Sequence, residues 1–106
     1  MTQAEAMSRR AVTLDEVRAQ ADQIHACADR YGITNVRVFG SVARGHATPD
    51  SDLDLLVDVE PGHGYLDLTS FALAVEDLLA VFTQVATVPG LKPRLRDRVL
   101  AEAVAV

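Results

Sequence analysis

The sequence contains one cysteine, no tryptophan, two tyrosines and three phenylalanines among its 106 residues. The lone thiol of Cys27 excludes an intramolecular disulfide, which is typical of proteins in the reducing cytoplasm. So few aromatic side chains leave little material for a surface on which single-stranded nucleic acid could stack. Because the formal net charge is −5, overall charge does not attract DNA, and we expect no direct DNA binding.

Long apolar runs are also missing from the sequence. None approaches the length of a membrane span, and residues 1–12 lack the continuous apolar segment of a signal peptide. We therefore expect a cytoplasmic protein that does not enter a membrane. The length fits one domain, and we divide the chain into a flexible N-terminal lead-in at residues 1–12 and a single domain at residues 13–106.

Hydrophobic periodicity predicts an alternation of helices and strands. Thr13 caps a first helix that ends at Gly32, and Pro93 begins the last helix. We assign strands to residues 36–39, 52–59 and 82–88, with a short helix at residues 42–44 and a longer one over residues 66–79. The order α-β-α-β-α-β-α predicts an α/β fold in which helices flank one short mixed sheet.

Two carboxylates, Asp52 and Asp54, lie two positions apart in the second predicted strand. Side chains at this spacing point to the same face of a strand, so the carboxylates are expected to lie side by side. They repel each other unless a cation lies between them, and Mg²⁺ prefers carboxylate oxygens combined with substrate phosphates. Taken alone, however, such a pair is more often part of a solvated acidic face than a metal site.

A second pattern, Gly40-Ser41, lies where the first strand ends and a short helix is predicted to begin. Backbone N–H groups at such a point attract anions, glycine permits the close approach of a phosphate, and the serine hydroxyl adds a donor. Arg44 follows one turn later and could neutralise phosphate charge. In isolation, Gly40 could equally shape a turn and Ser41 cap a helix, while Arg44 is simply exposed. Together, the two patterns provide a phosphate-binding turn followed by a metal-binding pair, as nucleotidyl transfer requires.

The stretch GSVARGHATPDSDLDLLV, from Gly40 to Val57, resembles the signature of the minimal nucleotidyltransferases, a group within the DNA polymerase β-like nucleotidyltransferase superfamily. That signature is Gly-Ser, ten residues, and then Asp-x-Asp, and ten residues separate Ser41 from Asp52. The resemblance continues through the helix near residues 66–79 and the tail at residues 90–103. It therefore covers most of the chain after residue 14.

This resemblance implies an α/β nucleotidyltransferase domain that binds Mg²⁺ and a nucleoside triphosphate, with ATP expected. Gly40 and Ser41 would contact the phosphates, and Asp52 and Asp54 would be the metal-binding catalytic residues. Stand-alone domains of this length are typically antitoxins in bacterial toxin–antitoxin pairs. Their partner is usually a helical HEPN-domain toxin, often an RNase, so a hetero-oligomer is expected. Some such antitoxins transfer AMP from ATP to a toxin tyrosine and silence the toxin.

The sequence departs from the family pattern at the position of a third carboxylate. The family usually supplies an aspartate from the next strand, and our alignment places Gln84 there. Glutamine offers a neutral oxygen but cannot act as a carboxylate base. Two functions therefore remain open: a protein adenylyltransferase that modifies its toxin, and a catalytically impaired antitoxin that neutralises the toxin by binding alone.

Overall fold

The computed structural model describes residues 11–106, and its elements alternate largely as the hydrophobic pattern predicts. The helices are α1 (Leu14–Ala19), α2 (Ala21–Arg30), α3 (Gly40–Ala43), α4 (Tyr65–Leu79) and α5 (Pro93–Glu102). The strands are β1 (Ile33–Phe39), β2 (Leu53–Val59), β3 (Thr83–Ala86) and β4 (Val104–Ala105). Among these described residues, no helix combines the length and apolar character needed to cross a membrane.

The four strands form one mixed sheet in the order β3-β2-β1-β4. β1 is antiparallel to both of its neighbours, whereas β2 and β3 run parallel because the helix α4 connects them. In the β2–β3 register, Asp54 lies opposite Gln84, and in the β1–β2 register Asp54 lies opposite Phe39, the last residue of β1. The topology thus brings the end of β1 and the beginnings of β2 and β3 to the same end of the sheet.

The core lies on the face of the sheet covered by α2 and α4. Leu53, Leu55 and Val57 alternate along β2 and are fully buried there, and α4 contributes Phe71 and Val75. Helix α2 packs against β1 and α4, while α4 also packs against β3. Because these apolar positions of β2 point into the core, the alternating positions at Asp52 and Asp54 are directed away from it.

Several predicted features are confirmed. Thr13 caps α1, its hydroxyl oxygen accepting a hydrogen bond from the Glu16 N–H at 3.1 Å. Pro93 occupies the beginning of α5, where its missing N–H costs no helical hydrogen bond. The α/β class and the mixed sheet with flanking helices are also confirmed.

Several predicted boundaries were wrong, and β1 begins three residues earlier than predicted. The first helix is two helices, because the Gln20 N–H bonds to the Val17 carbonyl at 3.1 Å and the backbone turns there. The strands around Asp52 and Gln84 are shorter than predicted, and Asp52 lies just before β2. The apolar chain end forms an additional edge strand, β4, by pairing Val104 with Val38.

The division into a lead-in and a domain stays a prediction, because residues 1–10 lie outside the described part of the chain. Of the predicted lead-in only Ala11 and Val12 are described. Val12 is 3% exposed and belongs to the core cluster.

Candidate active site

The turn at Gly40 connects β1 directly to the four-residue helix α3. Gly40 has φ +75°, a left-handed conformation that side chains disfavour. A Cβ atom placed on Gly40 would also overlap the Asp54 carboxylate oxygen Oδ2. Glycine is therefore required here for two reasons, and its missing side chain makes the space that Asp54 occupies.

The two carboxylates flank Leu53, whose side chain is fully buried in the core. Burial is the main reason that the pKa of Asp54 is raised from 3.8 to about 6. The negative charges of Asp52 and Glu102 raise it further, and the Arg44 guanidinium lowers it. Asp54 thus lies in an excess of negative charge, which favours either a proton or a bound cation.

Gln84 lies on the β3 side of the carboxylate pair. Its amide Nε2 donates a hydrogen bond to Asp52 Oδ2 at 3.0 Å. In the parallel register its backbone lies opposite that of Asp54. Gln84 is therefore adjacent to both carboxylates, in the place where the alignment expects a third acid, but it contributes no negative charge.

On the opposite side of Asp54, a glutamate that the sequence did not single out joins the site. The Glu102 carboxylate accepts a hydrogen bond from the Gly40 N–H at 2.9 Å and another from Arg44 Nη1 at 2.8 Å. Burial by itself would raise the pKa of Glu102, but these two donors stabilise the carboxylate and hold its pKa below its ordinary value.

Ser41 follows Gly40 in the first turn of α3 and is half-buried. Its carbonyl accepts a hydrogen bond from the His46 N–H at 2.9 Å, which satisfies that carbonyl where α3 ends. Within residues 11–106, no hydrogen bond involves its hydroxyl, so this donor is available to a ligand. The first-turn N–H groups of a helix likewise have no carbonyl of their own helix to bond.

The structure thus brings every predicted site residue into one region. Gly40, Ser41 and Arg44 lie on the β1–α3 side, and the Asp52–Asp54 pair lies between them and Gln84. Sequence reasoning missed Glu102. It falls in the tail that carries the family resemblance, but its 62-residue separation from Gly40 obeys no local spacing rule.

Whether the site suits a divalent cation can be judged from its donors. Asp52 and Asp54 offer carboxylate oxygens, and Mg²⁺ commonly uses one or two carboxylates plus waters and substrate phosphates. The residues present fit such an ion. In the described part of the chain, no cluster of three or more acidic, histidine or cysteine ligands forms a complete metal cage. Substrate or water oxygens would have to supply the remaining ligands.

This chain resembles known proteins over most of its described length. The family model described as the nucleotidyltransferase domain matches residues 22–106. A protein of Methanocaldococcus jannaschii, named as a candidate protein adenylyltransferase, is 36% identical over 77 residues, covering 73% of this chain and 83% of that protein. The protein adenylyltransferase MntA of Thermococcus cleftensis is 36% identical over 78 residues, covering 74% of this chain and 79% of that protein.

Two solved structures resemble the fold. A structure described as that of a candidate minimal nucleotidyltransferase superposes with a TM-score of 0.79 at 46% identity, covering 90% of this chain and 97% of that one. A chain of a toxin–antitoxin structure with AMP-PNP superposes with a TM-score of 0.66 at 15% identity, covering 79% of this chain and 69% of that one. At so low an identity, the second likeness shows a common fold only.

Proposed function

Because the chain belongs to the nucleotidyltransferase domain family, we propose that it is an antitoxin that transfers AMP from ATP to a HEPN-type toxin protein. The main support is the packing of Asp54 against Gly40, which a side chain at position 40 would prevent. This contact places the carboxylate pair directly beside the turn that is suited to bind phosphates. The protein adenylyltransferase names of the two relatives agree with this choice of acceptor.

In the proposed reaction, a hydroxyl of the toxin attacks the α-phosphorus of ATP. A new oxygen–phosphorus bond forms, the bond to the β-phosphate oxygen breaks, and pyrophosphate leaves. The Ser41 hydroxyl and the Arg44 guanidinium would bind the leaving phosphates, because both are accessible donors beside Asp54. Gln84 cannot accept the proton of the attacking hydroxyl as a carboxylate would, so this proton passes to water on the exposed side of the site.

Asp52 and Asp54 are the residues that would hold Mg²⁺. When bound, the ion supplies neutralisation of phosphate charge and a fixed orientation of the triphosphate. A bound cation would also offset the burial and the charge repulsion that together raise the pKa of Asp54. The chain's own contribution is to keep both carboxylates at the beginning of β2 by burying Leu53 between them.

The described residues form one small sheet with its helices. The names of the two relatives favour a protein as the acceptor. A helical toxin docked from outside would bring its hydroxyl to the open side of the carboxylate pair, giving a hetero-oligomer. The cytoplasmic location stays a prediction.

One observation favours the second function, neutralisation of the toxin by binding alone. Gln84 is exposed, neutral and already hydrogen-bonded to Asp52. A site with two carboxylates can bind a metal and a triphosphate, yet it lacks the third carboxylate that prepares the attacking hydroxyl in the resembling family. In that case the carboxylate pair would bind nucleotide without turnover.

The first experiment mixes the protein with its adjacently encoded helical partner, ATP and Mg²⁺, and weighs the partner by intact mass spectrometry. We expect a gain of one or more AMP units, abolished by Asp52→Asn. Asp97→Asn is the matched control, because it also removes one charge but lies exposed on α5. A partner of unchanged mass in a stable, inactive complex would contradict transfer and support neutralisation by binding.

Gln84→Asp separates the two functions further, because it restores a carboxylate at the doubtful position. If the natural protein is a working transferase, the variant changes the rate of an activity already present. Transfer that appears only in Gln84→Asp, with none in the natural protein, would identify the natural chain as a binding antitoxin.

A further inference from the structure

Glu102 is the one acidic residue of α5 that reaches the candidate active site, although the family signature does not include it. Each of its carboxylate oxygens has its own donor. Oε2 accepts from the Gly40 N–H at 2.9 Å, and Oε1 accepts from Arg44 Nη1 at 2.8 Å. The side chain of Glu102 is 18% exposed, whereas that of Arg44 is 49% exposed. The single carboxylate of Glu102 thus connects the Gly40 turn to the guanidinium of Arg44.

The position of this carboxylate is fixed by the element that precedes Glu102 and by the element that follows it. Glu102 is the last residue of α5, and the chain then enters β4. Val104 pairs with Val38 of β1, two residues before Gly40. The pairing of β4 with β1 therefore holds Glu102 next to the turn with which it bonds.

This arrangement also determines which donors remain for a ligand. The single N–H of Gly40 is occupied by Glu102, so the predicted contact of Gly40 with phosphate would have to displace that hydrogen bond. An arginine side chain has five N–H donors, of which Glu102 uses one. Most of the Arg44 guanidinium and the Ser41 hydroxyl therefore stay available.

We propose that Glu102 is a positioning residue, which orients the Arg44 guanidinium toward the triphosphate and fixes the Gly40 turn beside Asp54. This inference rests on the proposed function, since it concerns nucleotide binding at the same site. An exposed arginine samples many conformations, and ordering it on binding costs side-chain entropy. A carboxylate that already holds one edge of the guanidinium in place reduces that cost.

The test is a double-mutant cycle on nucleotide affinity, with the full chain, a non-hydrolysable ATP analogue and Mg²⁺. The variants are Glu102→Gln, Arg44→Ala and the combination of both. Glu102→Gln keeps the size of the side chain and removes its charge, and Asp97→Asn again serves as the neutralisation control on the same helix. Thermal unfolding of each variant verifies that it is folded.

If Glu102 acts through Arg44, Glu102→Gln weakens binding of the analogue about 5-fold, and Asp97→Asn leaves it unchanged. Arg44→Ala weakens binding about 10-fold in the natural background but only about 2-fold in Glu102→Gln, because residues in direct contact are not additive. If Glu102 had only a structural role, Glu102→Gln would lower stability, and the effects of Glu102→Gln and Arg44→Ala on affinity would be independent.

Two results would overturn the inference while leaving the proposed function intact. The first is an Arg44→Ala effect of equal size in both backgrounds. The second is tighter binding by Glu102→Gln, which would mean that the carboxylate competes with phosphate. If the natural protein does not bind the analogue at all, the proposed function and this inference both fail.

Discussion

The two sides of Asp54 are built differently. On one side, the buried Gly40 turn, Arg44 and Glu102 form a connected set of charged hydrogen bonds. On the other side, Gln84 lies exposed on the short edge strand β3, and among the described residues its side chain forms a hydrogen bond only with Asp52. We call these the Gly40 side and the Gln84 side.

This contrast separates two requirements of nucleotidyl transfer. The Gly40 side has the donors that we propose for binding the triphosphate, and their arrangement depends on three different elements of the fold. The Gln84 side, where the acceptor hydroxyl would approach, has no carboxylate on β3 and little packing around its glutamine. Nucleotide binding is therefore expected to withstand changes on the Gln84 side better than changes on the Gly40 side.

Gly40→Ala, which changes the Gly40 side directly, is expected to have the largest effect on stability and on nucleotide binding. The new Cβ would overlap Asp54 Oδ2, and the backbone would keep a left-handed conformation that alanine disfavours. We expect the free energy of unfolding to fall by about 3 kcal/mol, with nucleotide binding lost, because strain and overlap add. Chemical denaturation and calorimetric titration with MgATP measure the two effects.

Gly45→Ala is the matched control for this prediction. Gly45 has nearly the same φ, +74° against +75°, but nothing lies within 4 Å of an added Cβ. Gly45→Ala therefore introduces the backbone strain without the overlap, and it should lower the free energy of unfolding by only about 1 kcal/mol. Equal losses in the two variants would show that the contact of Gly40 with Asp54 contributes nothing.

Much of the Gly40 side could be predicted from the sequence, because its signals are local. Gly40-Ser41 follows a β-branched strand directly, and the spacing of Asp52 and Asp54 fixes their common face. Pro93 likewise marks the beginning of α5 by a property of its own backbone. Each of these features depends on a few neighbouring residues.

Glu102 and the break in the first helix could not be predicted in this way. The hydrogen bond from Gly40 to Glu102 exists only after β4 has paired with β1, a contact between distant parts of the chain. Gln20, where the first helix breaks, is a good helix former with no glycine or proline beside it, so its own propensity does not explain the turn. Local patterns carry no information about either feature.

In the absence of metal, Asp54→Asn is expected to raise the free energy of unfolding. The change is smaller than the loss expected for Gly40→Ala and has the opposite sign. The folded-state pKa of Asp54, about 6, exceeds its ordinary value of 3.8, so folding favours the protonated form. The stabilisation from protonation is complete below about pH 4 and is lost as the pH rises through about 6. Asparagine avoids the cost of the charge, so the variant should be more stable than the natural protein by up to about 2 kcal/mol above that range.

Denaturation with a chelator present, repeated across this pH range, measures the effect. The two proteins should have similar stability near pH 4 and diverge as the pH rises. Asp58→Asn is the comparison, since Asp58 is exposed and paired with Arg37 at 3.1 Å, away from the carboxylate pair. A constant difference between Asp54→Asn and the natural protein at every pH would mean that the Asp54 carboxyl titrates normally.

The smallest effect is expected on the Gln84 side, from Gln84→Asp. This change replaces an amide that donates to Asp52 with a carboxylate that repels it. Because the position is exposed, we expect stability without metal to fall by only about 1 kcal/mol. Saturating Mg²⁺ should recover this loss, since a third carboxylate would strengthen the proposed cation site. Gln84→Asn has the same shape but no charge, so its stability should not gain from Mg²⁺ beyond the natural protein. If thermal unfolding with and without Mg²⁺ gave the same response for both variants, position 84 would lie out of reach of the metal, and the Gln84 side would play no part in binding it.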